Sequence, residues 1–310
     1  MKKICIMLST YNGEKYLNEQ LESIFLQDCD FQVDLVVRDD GSTDNTVDIL
    51  HEWISKGHQM TLLDNKGKNL GPARSFLELL SQCPGYDYYA FADQDDVWDH
   101  NKIAKGVETI ERIKAEDLQP VLYCCNSRKI NSQDEVTVKQ NTKAVPEFNG
   151  NSIMISGFAQ GCTMVFNSEA RDEVLKFSLD LFPMHDLALL TCVYFAGKVF
   201  YDNTPHISHR VHENNVDAIS YDSNIFKRLK KANTKWNARS KKNPLDNCAR
   251  EVLNIYSKRM TPEELIFYNN LSNYKKIKHK LYLLNYILYN RLNSKSSNRS
   301  FAIRAITNKL

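Results

Sequence analysis

The sequence predicts an α/β protein: a mostly parallel central sheet flanked by helices, followed by a basic, helical C-terminal extension. Three observations carry this expectation. Short apolar runs alternate with amphipathic segments over the first hundred residues. Polar, turn-rich loops follow each apolar run, and the composition shifts to Lys, Asn and Tyr beyond about residue 221. Strands separated by helices of this length imply right-handed crossovers, and such sheets bind ligands outside the carboxyl ends of their strands.

The expected strands are KICIML (3–8), VDLVV (33–37), MTLL (60–63) and YYAFA (88–92), with helices between them near Glu14–Gln27, Asp44–Ser55 and Pro72–Cys83. A helix near Asp99–Ala115 then leads to VLYCCNS (121–127), read as another strand. Residues 131–151 are polar and irregular, and SGFAQGCTMVFN (156–167) reads as a glycine-rich turn into a strand. A helix near Asp186–Phe195, a strand Lys198–Tyr201 and the segment HISHRVHENN (206–215) close this part of the chain. The expected division is a nucleotide-binding and catalytic domain over 1–220 and a basic helical region over 221–310.

Charge supports that division. The net charge of +2 conceals 20 Lys/Arg against 5 Asp/Glu in residues 221–310, leaving 20 against 33 in residues 1–220, so the two parts are about +15 and −13. A basic tail suggests an anionic partner, either an anionic membrane surface or a phosphorylated substrate; nucleic acid is disfavoured because no basic recognition motif is present. The tail contains KRLKK (227–231), KKIKHK (275–280) and a helix-start signature, TPEE (261–264), followed by Phe267, Leu271, Tyr274, Leu281 and Leu288 near helical spacing. Such apolar faces either pack on the body or dock on an anionic membrane. The eight cysteines contain no CxxC pair, the N-terminal apolar run breaks at Ser9, and no stretch approaches the roughly 18 apolar residues of a membrane span. The expected location is the cytoplasm, peripherally on the inner face of the membrane.

Four loops follow the first four strands: STYNG (9–13), RDDGSTD (38–44), DNKGKNLG (64–71) and DQDD (93–96). Gathered on one sheet edge, they make one site. In the last, Asp93 and Asp95 stand at i and i+2 on an extended segment and point to one side, with Gln94 turned away. Clustered carboxylates need a compensating charge, and Mg²⁺ or Mn²⁺ with few protein oxygens shares its other positions with water and diphosphate oxygens. An EF-hand does not fit, because Trp98 and Ala104 occupy the positions of its glycine and final glutamate. The competing reading is a solvated acidic turn, with Asp96 capping the next helix.

Together and in this order, STYNG, RDDGSTDNT, NLGPARSF and ADQDDVW resemble the inverting glycosyltransferases of family 2, with their nucleotide-sugar-binding, Rossmann-like GT-A fold. The resemblance covers roughly residues 1–215 and lies nearest the bacterial rhamnosyltransferase-like branch, which builds cell-wall and capsular polysaccharides. It implies a UDP- or dTDP-sugar donor, a lipid-linked saccharide acceptor and Mn²⁺ or Mg²⁺. It further implies that Ser9 and Tyr11 contact the base, that Asp40 accepts the imide N–H of uracil or thymine with Asp39 shaping the same loop, and that Asn69 and Arg74 lie near base and diphosphate. Asp93 would touch ribose or metal, Asp95 would ligate the metal, and His212 would complete its shell, with His206 and His209 as nearby competitors. Asp186 would be the catalytic base and His185 would orient it or the acceptor, while Gly161, Cys162 and Thr163 fall where the acceptor-side wall is expected.

The alternative for Asp186 is a helix N-cap. Leu187 stands where the branch usually has Trp, and HRVH (209–212) stands where it has YRQH. The rival functions are a sugar-phosphate nucleotidyltransferase, whose Gly-rich, Arg/Lys-bearing first loop STYNGEKY lacks, and a non-catalytic nucleotide-sugar-binding protein.

Overall fold

A computed structural model describes residues 2–65, 67–114, 119–143, 145–146, 149–178, 181–212, 245–290 and 295–310. The expected division at 220/221 and the basic run 227–231 lie outside them.

The first half is the anticipated alternation: β1 (Lys3–Thr10), α1 (Leu17–Phe25), β2 (Gln32–Asp39), α2 (Thr46–Ser55), β3 (Met60–Leu63), α3 (Pro72–Gln82) and β4 (Tyr88–Asp93). These strands run parallel in the order β3-β2-β1-β4. They read as continuous apolar runs because both faces are covered. In β1, Ile4, Ile6 and Leu8 enter the core on the side of α1 and α2, while Cys5 and Met7 enter the one on the side of α3. The same two-residue period puts Tyr89 and Phe91 of β4 on the α3 side.

The second half is mixed. β5 (Val97–Trp98) precedes α4 (Lys102–Lys114), β6 (Val121–Ile130) and β7 (Val136–Val138); α5 (Gly150–Ser156), β8 (Met164–Asn167), α6 (Ser168–Val174), α7 (His185–Ala196) and β9 (Lys198–Arg210) follow. β8 lies antiparallel between β4 and β6, and β9 is parallel to β6 and antiparallel to β5. The strand expected to stop at Tyr201 therefore runs on to Arg210. The turn-like residues Asp202–Pro205 are absorbed by a register shift, in which Cys125 pairs with Asp202 and Asn126 with Pro205. The Asn126 amide fastens the shift by donating to the Asn203 carbonyl at 3.2 Å. The helix expected from Asp99 begins at Lys102, because the Asp99 carboxylate is held by both terminal nitrogens of Arg128 at 2.6 and 2.7 Å.

Among the described residues four more helices follow: α8 (Leu245–Tyr256), α9 (Pro262–Leu271), α10 (Ile277–Tyr289) and α11 (Lys295–Ile306). Their apolar residues join the same core as α3 and α7. The TPEE signature forms a capping box between Thr261 and Glu264. Glu264 also accepts from the Gly150 N–H at 2.9 Å and the Tyr194 hydroxyl at 2.7 Å, tying α9 to the body. Of the five apolar residues noted in the tail, Phe267, Leu271 and Tyr274 are buried, whereas Leu281 and Leu288 are exposed. Among the described residues no helix is long and apolar enough to cross a membrane.

Candidate active site

The loops after β1, β2 and β4 and the one before α3 meet at one edge of the sheet and are cross-linked by side chains. Asp39, at the end of β2, accepts four hydrogen bonds: from the Gly41 and Ser42 N–H groups at 3.0 and 2.8 Å, and from the Thr10 and Ser42 hydroxyls at 2.9 and 2.5 Å. A carboxylate has about four acceptor positions, so Asp39 is saturated by its own loop and by Thr10 of β1. Asp40 accepts three, from Arg38 Nη1 at 2.5 Å and from the Leu70 and Gly71 N–H groups at 2.7 Å each. Among the described residues one acceptor position remains on Asp40 Oδ2. Arg38 was not anticipated from sequence; it also donates to Ser75 Oγ and to the Lys68 carbonyl, which locks the loop before α3 onto β2. Its signal was a cation closing the apolar run LVV, directly before Asp39 and Asp40.

Ser9 donates to Ser75 Oγ at 2.7 Å. Tyr11 has an exposed ring, and its backbone is clamped by the Gln94 amide, which accepts from the Tyr11 N–H at 2.8 Å and donates to its carbonyl at 3.0 Å. Gln94 thus points away from the carboxylates beside it, as expected, and has a task that sequence reading missed. A Cβ at Gly13 would lie 2.3 Å from Gln94 Oε1, so glycine makes room for the clamp. Asn69 is exposed, and Arg74 is exposed in the first turn of α3.

The acidic loop after β4 faces the end of β9. Loss of water, then the charges of Asp96 and Asp95, push the Asp93 carboxyl up to about 8. Asp95 Oδ2 lies 2.8 Å from His212 Nε2. The other two histidines are engaged elsewhere: His206 with Asn101 and Asp202, and His209 with Asp96 at 2.9 Å. Burial pulls His209 down, but Asp96, with Asp93 and Asp95 behind it, raises His209 to about 9. Asp96 is fully buried and accepts the Arg210 N–H as well, so it pins β9 and does not cap α4. Arg210, also unanticipated, donates from Nε to the Asp95 carbonyl, binds Glu19 and Asp134 and covers the Tyr16 ring.

Two groupings here resemble metal sites. Asp96, Cys162 and His209 place ligand atoms within 4.8 Å of one another, but positive charge is already supplied there by His209 and by Lys102, whose buried ammonium lies 3.5 Å over the Trp98 ring and adjoins Cys162 and Asp96. Asp93, Asp95 and His212 combine carboxylate oxygens with one imidazole: Asp95 and His212 are in direct contact and Asp93 feels the Asp95 charge, but among the described residues only the first grouping brings three ligand atoms within 4.8 Å. The donor set of the second grouping fits a hard divalent ion.

Asp186 is the second residue of α7; the N-cap is Met184. It is half-buried, and its charge is a minor contributor to the raised Asp93. His185 is buried against Phe76 and Phe91, with ring centroids 4.1 and 4.7 Å away. Among the described residues neither ring nitrogen has a hydrogen-bond partner, and burial pulls the imidazole down to about 3, so it is neutral. A Cβ at Gly161 would meet His185 Nε2 at 2.3 Å, which explains the glycine in the turn before β8.

Comparison with known proteins gives concordant matches. The family model described as Glycosyl transferase family 2 matches residues 5–169. A dTDP-rhamnosyl transferase RfbG of Shigella flexneri is 29% identical over 243 residues, covering 74% of this chain and 80% of its own. Among solved structures, residues 1–349 of S. aureus TarS superpose with a TM-score of 0.57 at 17% identity, covering 99% of this chain and 81% of that one. The same fragment in complex with UDP-GlcNAc gives 0.53. A mannosyltransferase, PcManGT from Pyrobaculum calidifontis, in complex with GDP-Man and Mn²⁺ also gives 0.53 at 14% identity, covering 99% and 88%.

Proposed function

Because this chain belongs to glycosyltransferase family 2, we propose that it transfers a sugar, rhamnose or a hexose, with inversion from a nucleoside-diphosphate donor to a lipid-linked saccharide in cell-wall or capsular polysaccharide synthesis. The observation that carries this reading is the convergence, at one sheet edge, of the Asp39–Asp40 loop, the Asp93–Asp95–His212 group and Asp186. The dTDP-rhamnosyl transferase relative favours dTDP-rhamnose, and the UDP-GlcNAc complex of a structural neighbour keeps a UDP-hexose in contention.

In this reading the base lies against Tyr11, and its imide N–H donates to the remaining acceptor position of Asp40, while Asp39 holds the loop in shape. Ser9, Asn69 and Arg74 line the path from base to diphosphate, with Arg74 offering paired hydrogen bonds to phosphate oxygens. Asp93, Asp95 and His212 would hold Mn²⁺ or Mg²⁺, whose charge stabilises the leaving diphosphate. Asp186 accepts the proton of the acceptor hydroxyl as that oxygen bonds to the anomeric carbon. The bond from that carbon to the diphosphate oxygen breaks, and its electron pair leaves with the diphosphate. A neutral, tightly packed His185 holds the start of α7 and so positions Asp186. Gly161, Cys162 and Thr163 are buried in the turn into β8, which favours ordinary packing as their role, and the enzyme works at the inner face of the cell membrane.

The test is release of nucleoside diphosphate from a panel of UDP- and dTDP-sugars with Mn²⁺ or Mg²⁺. Release from one donor, abolished by EDTA, supports the reading and identifies the sugar; the absence of both release and metal-dependent donor binding sinks it.

A further inference from the structure

α10 carries two apolar faces. One, with Leu283, Tyr286 and Ile287, is buried against the body. The other, roughly opposite, is bare: Ile277, Leu281 and Leu288 are 69%, 57% and 80% exposed. At about 100° per residue these three fall within about 40° of one another, a continuous stripe along the helix. Tyr289 is 81% exposed at its end, and Lys276 and Lys278 are exposed at its start. On the neighbouring α11, Ile303 and Ile306 are also exposed. A stripe of this kind is unfavourable in water and calls for a partner.

Charge selects the partner. Residues 275–310 contain six lysines, three arginines and no aspartate or glutamate. A second copy of the chain would set this basic surface against itself, whereas an anionic bilayer accepts the apolar stripe into its acyl boundary and the lysines at its headgroups. Tyrosine suits the same boundary, with an apolar ring and a polar tip.

We infer that the bare face of α10 is a docking surface for an anionic lipid bilayer, with Ile277, Leu281 and Leu288 inserted and Lys276 and Lys278 at the phosphates. This deepens the membrane contact proposed above and identifies the residues that make it. The test is co-sedimentation of the whole chain with vesicles of phosphatidylcholine alone or mixed with phosphatidylglycerol. The assay contains no nucleotide sugar, so its failure is distinct from a failure of the transferase reading.

The chain should bind mixed vesicles at least about tenfold more tightly than phosphatidylcholine. Replacing Ile277, Leu281 and Leu288 together by Ser should weaken binding by about tenfold or more, with thermal unfolding unchanged because the side chains are exposed; Leu288→Ser alone gives a smaller loss in the same direction. Lys276→Gln with Lys278→Gln should reduce the preference for the anionic vesicles by about fivefold per lysine. The inference is overturned by equal binding to both vesicles, by no binding, by serine variants that bind like the parent, or by a parent dimer that the serine variants dissolve.

Discussion

Asp95 and His212, 117 positions apart in the chain, bring Oδ2 and Nε2 to 2.8 Å. The loop after β4 and the second residue after the end of β9 thereby converge on one point, held by the Arg210 contact to the Asp95 carbonyl and by the His209–Asp96 pair. If that point is a divalent-ion site, Asp95→Ala should abolish metal-stimulated donor cleavage, and His212→Ala should raise the Mn²⁺ concentration for half-maximal activity by about tenfold or more. A metal titration of initial rates checks both. An unchanged requirement in His212→Ala would assign the histidine to the fold alone.

Asp186→Asn keeps the size of the side chain and removes its basicity. Turnover should fall by about 10²–10⁴-fold, while calorimetric donor binding stays within a factor of a few. A variant that turns over normally would return Asp186 to the role of an acidic residue in a helix's first turn.

The Gln94 clamp joins the loop after β1 to the acidic loop. Gln94→Ala and Gly13→Ala should each raise KM for the donor more than they lower kcat, the second because its methyl displaces the Gln94 amide. Since both act through one contact, the double variant should be little worse than either alone. Additive losses would separate the two residues.

Arg38 and Asp40 form a buried pair at 2.5 Å. Asp40→Ala leaves the guanidinium without its counter-charge and should cost about 3–5 kcal/mol in urea unfolding. A loss below about 1 kcal/mol would mean that Arg38 reaches water when its partner is removed.

His185 makes stability fall in acid. Its imidazole is held at about 3 in the folded chain against an ordinary 6.5, so above 6.5 both states are neutral and nothing is lost. Below 6.5 the unfolded chain takes up the proton first, and stability drops by up to about 1.4 kcal/mol per pH unit until pH approaches 3. His185→Leu should flatten that part of the unfolding free energy against pH; an unaltered slope would assign the acid sensitivity to other groups.

By itself the sequence determined the first half of the sheet and which loops stand together. Apolar runs buried on both faces and separated by helices admit few arrangements, and the polar segments after them fall on the carboxyl edge by topology. The TPEE helix start was equally legible, because a capping box is a local interaction. Which hydrogen bonds are made could not be read locally. Asp39 and Asp40 are adjacent carboxylates in the chain, yet one is saturated by Thr10 and the loop that follows β2, while the other is held by Arg38 and the segment before α3 with one acceptor position left over. Three nearby histidines look alike in sequence, and only the register of β9 decides that His212 meets Asp95 while His209 meets Asp96. The tail shows the same limit: Phe267 and Leu271 fall on α9, Tyr274 between two helices and Leu281 and Leu288 on α10, and which of them is buried is decided by tertiary packing.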